Sequence, residues 1–295
     1  MTDLMNDMDI AFPHLGIYLK NVPKSFTIFG FPIAFYGVII AIAFIAGVLI
    51  ASHDAKKTNQ DPDTYWDFAI YVIIFSLIGA RIFYVIFEWD NYKNNFWSIF
   101  NFRNGGLAIY GGIIFAFITL AVYSKIKKKS FLQMADTGVL GLLLGQIIGR
   151  YANFMNREAF GQYTDSLFAM RLPINMVRSS DISESIMQQI QPGINYIQVH
   201  PTFLYESMWN VVLLICILIY KKHSKFKGEV ALIYIAGYGL GRFFVEGLRT
   251  DQLLLWNTMI PISRLIGITA FVIGLATIVI IRVKNRKKIE KTEKV

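Results

Sequence analysis

Long apolar runs dominate this chain of 295 residues, and they decide what it can fold into. A bilayer core of about 30 Å requires about 20 apolar residues in a helix. Seven runs approach or reach this length, roughly at 31–52, 66–88, 107–124, 131–150, 201–220, 229–247 and 260–281. Charged residues are only 17% of the chain, whereas an ordinary soluble domain has about 25%. The sequence therefore predicts an all-α polytopic membrane protein with seven transmembrane helices.

The basic residues between these runs predict an orientation. Lys and Arg accumulate on the cytoplasmic side of membrane proteins. If the N-terminus is outside, the cytoplasmic segments contain roughly twice as many Lys and Arg residues as the outer segments. Arg103 is counted in an outer segment. We therefore expect N-out/C-in topology. The expected parts are an extracytoplasmic segment 1–30, a seven-helix domain 31–282 with a small extracytoplasmic arm at about 151–199 between helices 4 and 5, and a basic cytoplasmic tail 283–295.

Several function classes are disfavoured by what the sequence lacks. The net charge of +9 follows from membrane topology, and no basic soluble face suggests nucleic-acid binding. Motifs of zinc proteases and serine hydrolases are absent, and the four histidines are not clustered. We expect no metal and no cofactor. Cys216 is the single cysteine, and we expect it to be a small packing residue.

Ionisable residues inside the apolar runs mark function by default, because burying them in lipid is costly. With the predicted topology, Asp67 and Asp136 lie near the inner ends of their runs, whereas six others fall in the outer part of the membrane: Arg81, Arg150, Glu206, Arg242, Glu246 and Arg264. A guanidinium is permanently charged and binds phosphate oxygens in pairs. The cluster therefore predicts a site for an anionic lipid head group in the outer leaflet. Snorkelling to the interface is the alternative, and it is favoured for Arg81 and Arg264 taken alone.

Spacing connects several polar residues. Arg150 and Asn153 share a helical face if the helix continues that far, and Glu158 and Gly161 follow in the adjoining turn. A second stripe, spaced by four residues, consists of Tyr238, Arg242 and Glu246. A Glu four residues after an Arg can orient it, although a helix-stabilising ion pair is the simpler alternative. Gly237 and Gly241 on the same helix are expected to allow close helix packing.

Three further polar residues lie at the predicted outer ends of the runs. Tyr36 is early in the first run, and Tyr110 stands between Gly105-Gly106 and Gly111-Gly112 at the start of the third. His200 precedes Pro201 where the fifth run begins. Taken alone, His200 is better interpreted as a structural residue at a helix start than as a catalyst.

Five segments together resemble one family, the prolipoprotein diacylglyceryl transferases of bacteria. They are GARIFYV (79–85), GGLAIYGG (105–112), GRYANFMNREAFG (149–161), HPTFLYE (200–206) and GRFFVEGLRTD (241–251). The resemblance extends from about residue 30 to 282. It implies a multi-pass enzyme of the bacterial plasma membrane with its active site toward the outer face.

The resemblance also implies a reaction and its partners. The diacylglyceryl group of phosphatidylglycerol would move to the lipobox cysteine thiol of a prolipoprotein signal peptide, with release of glycerol phosphate. The expected partners are phosphatidylglycerol, prolipoprotein signal peptides and membrane lipid, and no nucleic acid. The alternative function is transport of an anionic lipid or anion, which would use the same arginines. A transporter should carry polar residues through the whole membrane thickness, whereas this chain has them mainly on one side.

By motif, Arg150 and Arg242 would bind the phosphate. The resemblance implies a catalytic set of Arg150, Arg242, Glu246, Tyr110, Asn153 and Glu158. The implied substrate-binding set is Arg150, Arg242, Tyr36, Asn153, Tyr238, Gly161, Arg81, His200 and Glu206.

Two positions depart from the family pattern. Phe35 replaces an expected tryptophan, and Tyr110 replaces a histidine often proposed as the base for the thiol. A tyrosine hydroxyl, with an ordinary pKa of about 10, is a poor base toward a thiol of about 8.5. Tyr110 could instead orient a substrate, a carboxylate such as Glu246 or the departing phosphate could take the proton, or the thiolate could form without a dedicated base.

Overall fold

The structure is a computed structural model that describes residues 4–101, 105–255, 258 and 260–292. Arg103 and the last residues of the predicted tail, 293–295, lie outside the described residues. The chain divides into two compact units, one formed by Met1–Gly47 with Leu142–Val295 and the other by Val48–Gly141. Each unit is described by itself.

Helices make up most of the described chain. They are α1 (Phe35–Lys57), α2 (Asp63–Phe87), α3 (Trp89–Tyr92), α4 (Ile109–Ile126), α5 (Phe131–Asn156), α6 (Glu184–Met187), α7 (Thr202–Tyr220), α8 (Glu229–Glu246) and α9 (Ile262–Thr292). Six of them, α1, α2, α4, α5, α7 and α9, are long and apolar enough to cross a membrane. Large apolar side chains such as Ile70, Phe117 and Ile219 are exposed on these helices, as expected where helices face lipid. The protein is therefore a polytopic membrane protein.

The predicted runs and the helices differ in several details, and the first run begins with the strand Phe31–Ala34 before the helix Phe35–Lys57. α8 has 18 residues but carries Glu229, Arg242 and Glu246, so the seventh span remains a prediction. α5 continues past the predicted end at 150 to Asn156, and α9 continues into the predicted tail as far as Thr292. Cys216 is exposed on α7, so its predicted packing role is wrong.

Two small sheets make the all-α prediction incomplete. The strands are β1 (Ile10–Phe12), β2 (Ile17–Leu19), β3 (Ser25–Ile28), β4 (Phe31–Ala34), β5 (Met170–Pro173) and β6 (Tyr196–Val199). An antiparallel sheet has the order β2-β1-β5-β6, and β3 pairs with β4. Since β1 pairs with β5, the N-terminal segment and the predicted arm share one sheet. This sheet lies over a buried apolar cluster that includes Ile10, Phe160, Leu172 and Ile197.

Glycines set the close approach of α8 to its neighbours. A Cβ at Gly239 would lie 2.5 Å from the carbonyl oxygen of Gly267 on α9. On the side of α7, a Cβ at Gly237 would be 2.4 Å from Leu213, and one at Gly241 would be 2.4 Å from Trp209. The predicted packing role of Gly237 and Gly241 is confirmed. Small residues at such positions are typical of membrane helix interfaces.

Gly239→Ala should therefore destabilise the protein, because the backbone of α9 must move away from the new methyl group. We expect a cost of about 1–3 kcal/mol, as for other overpacked interiors. Thermal unfolding of the purified protein in detergent would show a lower transition temperature. Gly138→Ala is the matched control, since a Cβ there meets no atom of the described residues within 4 Å. A Gly239→Ala protein as stable as that control would contradict this account of the interface.

Candidate active site

Glu206 is the centre of a buried polar cluster in the first unit. It lies in the second turn of α7 and is only 2% exposed. Its Oε1 is 2.5 Å from Nη2 of Arg150 on α5, and its Oε2 is 3.0 Å from Nη1 of Arg242 on α8. The Tyr238 hydroxyl donates a third hydrogen bond to Oε1 at 3.3 Å. One carboxylate therefore joins three helices.

Arg242 lies between two carboxylates. Its Nη2 is 2.5 Å from Oε2 of Glu246, one turn further along α8, as the spacing predicted. Arg150, Glu206, Arg242 and Glu246 carry two positive and two negative charges, so the cluster is neutral as a whole. Pairing of this kind is what allows charges to be buried away from water.

The two guanidiniums keep an accessible face. The side chains of Arg150 and Arg242 are 19% and 14% exposed, whereas those of Glu206 and Glu246 are each 3% exposed. Each guanidinium has five N–H donors, and its contacts with the carboxylates use only some of them. The carboxylates therefore hold both guanidiniums in place while donors remain for an anion.

A hydrogen-bond chain leads from Arg150 out of the cluster. Arg150 Nη1 donates to Oδ1 of Asn153 at 3.4 Å, and Asn153 Nδ2 donates to Oε1 of Glu158 at 2.9 Å. The predicted shared face of Arg150 and Asn153 is confirmed, because α5 continues beyond both residues. The other oxygen of Glu158 is 3.5 Å from Nη2 of Arg178, a neighbour that no sequence spacing or motif indicated.

Gly161 lies at a junction of three segments. Its N–H donates to the carbonyl of His200 at 2.9 Å. A Cβ at Gly161 would lie 2.7 Å from Cβ of His200 and 2.8 Å from the carbonyl oxygen of Leu248. The contacts of Gly161 thus position the segments that lead into α7 and out of α8. Its predicted part in substrate binding stays a prediction.

His200 is half-buried at the same junction. Its Nδ1 is 3.2 Å from the hydroxyl oxygen of Tyr205. Burial lowers the pKa of His200, so the ring is neutral at neutral pH. These contacts fit the structural interpretation of His200, and its predicted substrate contact remains untested.

Tyr36 belongs to the same unit. It lies in the first turn of α1, is 36% exposed, and interacts electrostatically with Arg150 and Glu158.

Arg249, which follows α8, forms a bidentate ion pair with Asp251 through contacts of 2.9 and 2.7 Å. This pair was not predicted from sequence, although the spacing in GLRTD could have suggested it.

Arg81 and Tyr110 belong to the other unit, Val48–Gly141. Arg81 is 4% exposed, and its five N–H donors meet five backbone carbonyls, those of Ser98, Ile99, Asn101, Gly105 and Gly106. Gly105 and Gly106 have φ of 77° and 78°, a conformation that favours glycine. These contacts favour a structural role for Arg81 rather than the predicted substrate contact. Tyr110 is half-buried in the first turn of α4.

Comparison with known proteins decides the family. The sequence profile of the prolipoprotein diacylglyceryl transferases matches residues 23–280. The chain belongs to the prolipoprotein diacylglyceryl transferase family. This confirms the resemblance that was predicted from five sequence segments. The matched range includes Arg150, Glu206, Arg242 and Glu246.

Relatives within this family match over most of their length. The phosphatidylglycerol–prolipoprotein diacylglyceryl transferase 1 of Clostridium perfringens is 41% identical over 270 residues, covering 90% of this chain and 97% of the relative. The enzyme of that name from Clostridioides difficile is 41% identical over 266 residues, with 90% and 97% covered. One from Listeria monocytogenes serotype 4a is 40% identical over 262 residues, with 89% and 90% covered.

Glu206→Gln should strongly destabilise the cluster, because an uncharged amide leaves two buried guanidiniums without their shared counter-ion. Breaking a buried ion pair on one side costs about 3–5 kcal/mol. Unfolding in detergent, followed by heat or by denaturant, would measure the loss. Glu184→Gln, at an exposed position on α6, is the matched control. Equal stability of the two variants would show that Glu206 does not hold the helices together.

Proposed function

We propose that this protein transfers the diacylglyceryl group of phosphatidylglycerol to the lipobox cysteine thiol of prolipoproteins, the first step of lipoprotein maturation. Family membership over residues 23–280 carries this proposal. The relatives named for the transfer cover about nine-tenths of the chain. The Arg150–Glu206–Arg242 cluster supports it physically, because it offers accessible guanidinium donors to a phosphate.

The proposed reaction is a nucleophilic displacement at carbon. The cysteine sulfur forms a bond to the glyceryl carbon that carries the phosphate, and the carbon–oxygen bond to phosphate breaks. The bonding electrons go to the phosphate oxygen, so a diester with one negative charge leaves as a monoester with additional charge. The thiol proton is released to an acceptor. Arg150 and Arg242 would stabilise the charge that grows on the phosphate, an effect that preorganised donors provide best.

Each remaining residue of the site has a proposed role. Glu206 orients both arginines, Glu246 holds the other side of Arg242, and Asn153 with Glu158 holds Arg150. Tyr36 and Tyr238 would contact the head group, and Gly161 and His200 would position the segments around it.

The destination of the thiol proton has three proposed accounts. The acceptor could be Glu246 or the departing phosphate, or the thiolate could form without a dedicated base, with Tyr110 orienting a substrate. A carboxylate beside a bound phosphate is a better proton acceptor than an isolated carboxylate, because the nearby negative charge disfavours its ionised form.

We also propose the membrane arrangement. α8 would be the seventh span, the N-terminus would be outside and the cluster would lie toward the outer face of the bacterial plasma membrane. The limits 1–30, 31–282 with an arm at 151–199, and 283–295 remain proposed domain boundaries. The distribution of Lys and Arg between the helices supports this orientation. The family assignment favours an enzyme over the transporter alternative.

Purified protein with phosphatidylglycerol and a lipobox peptide should yield the diacylglyceryl thioether adduct and free glycerol phosphate, both measured by mass spectrometry. Arg150→Lys and Arg242→Lys keep the charge but lose the two-pronged geometry, so turnover should fall by about 10²–10³-fold. Arg150→Ala and Arg242→Ala should abolish it. Arg286→Lys, at an exposed position on α9, is the matched control. No adduct from the wild type, where the Clostridium perfringens relative gives one, would refute the proposal.

Tyr110→Phe separates the accounts of proton transfer. A near-normal rate for the variant would exclude proton transfer by the hydroxyl, and this is the expected result because a phenol is a poor base for a thiol. The pH profile of the rate provides the second measurement. A limb of the profile that moves to lower pH in Tyr110→His would instead assign an acid–base role to this position.

A further inference from the structure

A polar cleft of about 320 Å³ includes Glu158 in its lining. It is formed where the end of α5 meets the segment before β3 and the segment after β5. Its lining consists of Lys24, Asn156, Arg157, Glu158, Asn175, Met176, Val177 and Arg178. None of the basic residues in this lining belongs to the active-site set described above.

The cleft has an excess of positive charge. Three basic side chains face one carboxylate, so the lining carries more positive than negative charge. Lys24 donates to the carbonyl of Met176 at 2.8 Å, and its pKa is lowered by burial and by the charges of Arg157 and Arg178. The basic groups thus repel one another, and an anion between them would relieve the repulsion.

Arg157 is a buried cation with an unused donor. Its side chain is 2% exposed, and its terminal nitrogens donate to the carbonyls of Met8, Val22 and Met155. Among the described residues, its buried Nε has no hydrogen-bond partner. A buried donor without a protein partner is costly and calls for an explanation, such as a bound water or ion. The cleft is therefore a built site with a cation that neutral carbonyls hold in place.

Glu158 connects the cleft with the active-site cluster. One of its oxygens accepts from Asn153, which also contacts Arg150, and the other faces Arg178 across 3.5 Å. The chain of side-chain contacts from Arg150 through Asn153 and Glu158 therefore ends at Arg178, in the lining of the cleft.

We propose that this cleft binds a small phosphate monoester, the glycerol phosphate that the transfer releases, and this inference rests on the proposed function. The substrate is a phosphodiester with one negative charge, whereas a phosphate monoester carries nearly two at neutral pH because its second pKa is about 6. The surplus of positive charge in the cleft matches the product better than the substrate. The cleft would draw the product away from Arg150 and Arg242 once the carbon–oxygen bond has broken.

Direct binding tests this without any turnover. Saturation-transfer-difference NMR on the whole protein in detergent would compare three soluble probes: glycerol phosphate, inorganic phosphate and glycerophosphoglycerol, the diester head group. Glycerol phosphate should bind most tightly. Equal or tighter binding of the diester would overturn the preference for a monoester, and equal or tighter binding of inorganic phosphate would overturn the assignment to the leaving group.

Variants locate the binding in the cleft. Lys24→Gln and Arg178→Gln should each weaken glycerol phosphate binding by about tenfold, as expected for loss of one charge-assisted hydrogen bond. Lys20→Gln and Arg171→Gln are matched controls outside the lining, and they should bind as the wild type does. The inhibition constant of glycerol phosphate in the transfer assay should rise in parallel with the dissociation constant. Unchanged binding in both cleft variants would place the product elsewhere.

The two proposals can fail separately. A wild-type protein that forms the thioether adduct but does not bind glycerol phosphate would refute the cleft assignment and leave the transferase in place. A protein that binds glycerol phosphate in the cleft but forms no adduct would refute the transferase, and with it the identity of the ligand as a product.

Discussion

The buried carboxylate of Glu206 is the interaction on which the site depends. It accepts from Arg150 on α5 and from Arg242 on α8, while its own backbone belongs to α7. A lone charge in a low-dielectric interior costs several kcal/mol or more, so none of the three groups is stable there without the others. The pairing therefore fixes the relative rotation of three helices. It also presents two guanidiniums side by side, a spacing that neither arginine could maintain alone.

The neutrality of this cluster has a consequence for binding. A phosphate that approaches Arg150 and Arg242 adds a negative charge to a group that already contains Glu206 and Glu246. Binding must therefore come from the unused guanidinium donors and from the accessible face, rather than from an excess of positive charge. In the proposed function, that arrangement would hold a phosphodiester without trapping a more highly charged product. The positive excess is found instead beyond Glu158, in the cleft lined by Lys24 and Arg178.

Much of this site could be predicted from sequence, and the exceptions have physical reasons. Helical periodicity was enough to pair Arg242 with Glu246 and Arg150 with Asn153, because both contacts are local. The bridge through Glu206 joins residues far apart in sequence, so periodicity could not show it. The small sheet was missed because its strands have three or four residues and pair the N-terminal segment with β5. The seventh span remains a prediction, since the charges that make α8 functional also lower its hydropathy.

Arg81, Arg150, Arg242 and Arg157 differ in the kind of acceptor that they meet, and sequence alone does not show which of them keep donors for a ligand. Arg81 has carbonyl acceptors for all five donors, so its contacts stabilise a loop and leave little for a ligand. Arg150 and Arg242 meet carboxylates that neutralise their charge but occupy only part of their donors. Arg157 is the intermediate case, with carbonyl partners, a buried unpaired Nε and a position in a cleft. A buried arginine is thus a binding residue only where donors remain accessible, and that depends on tertiary contacts rather than on its depth in an apolar run.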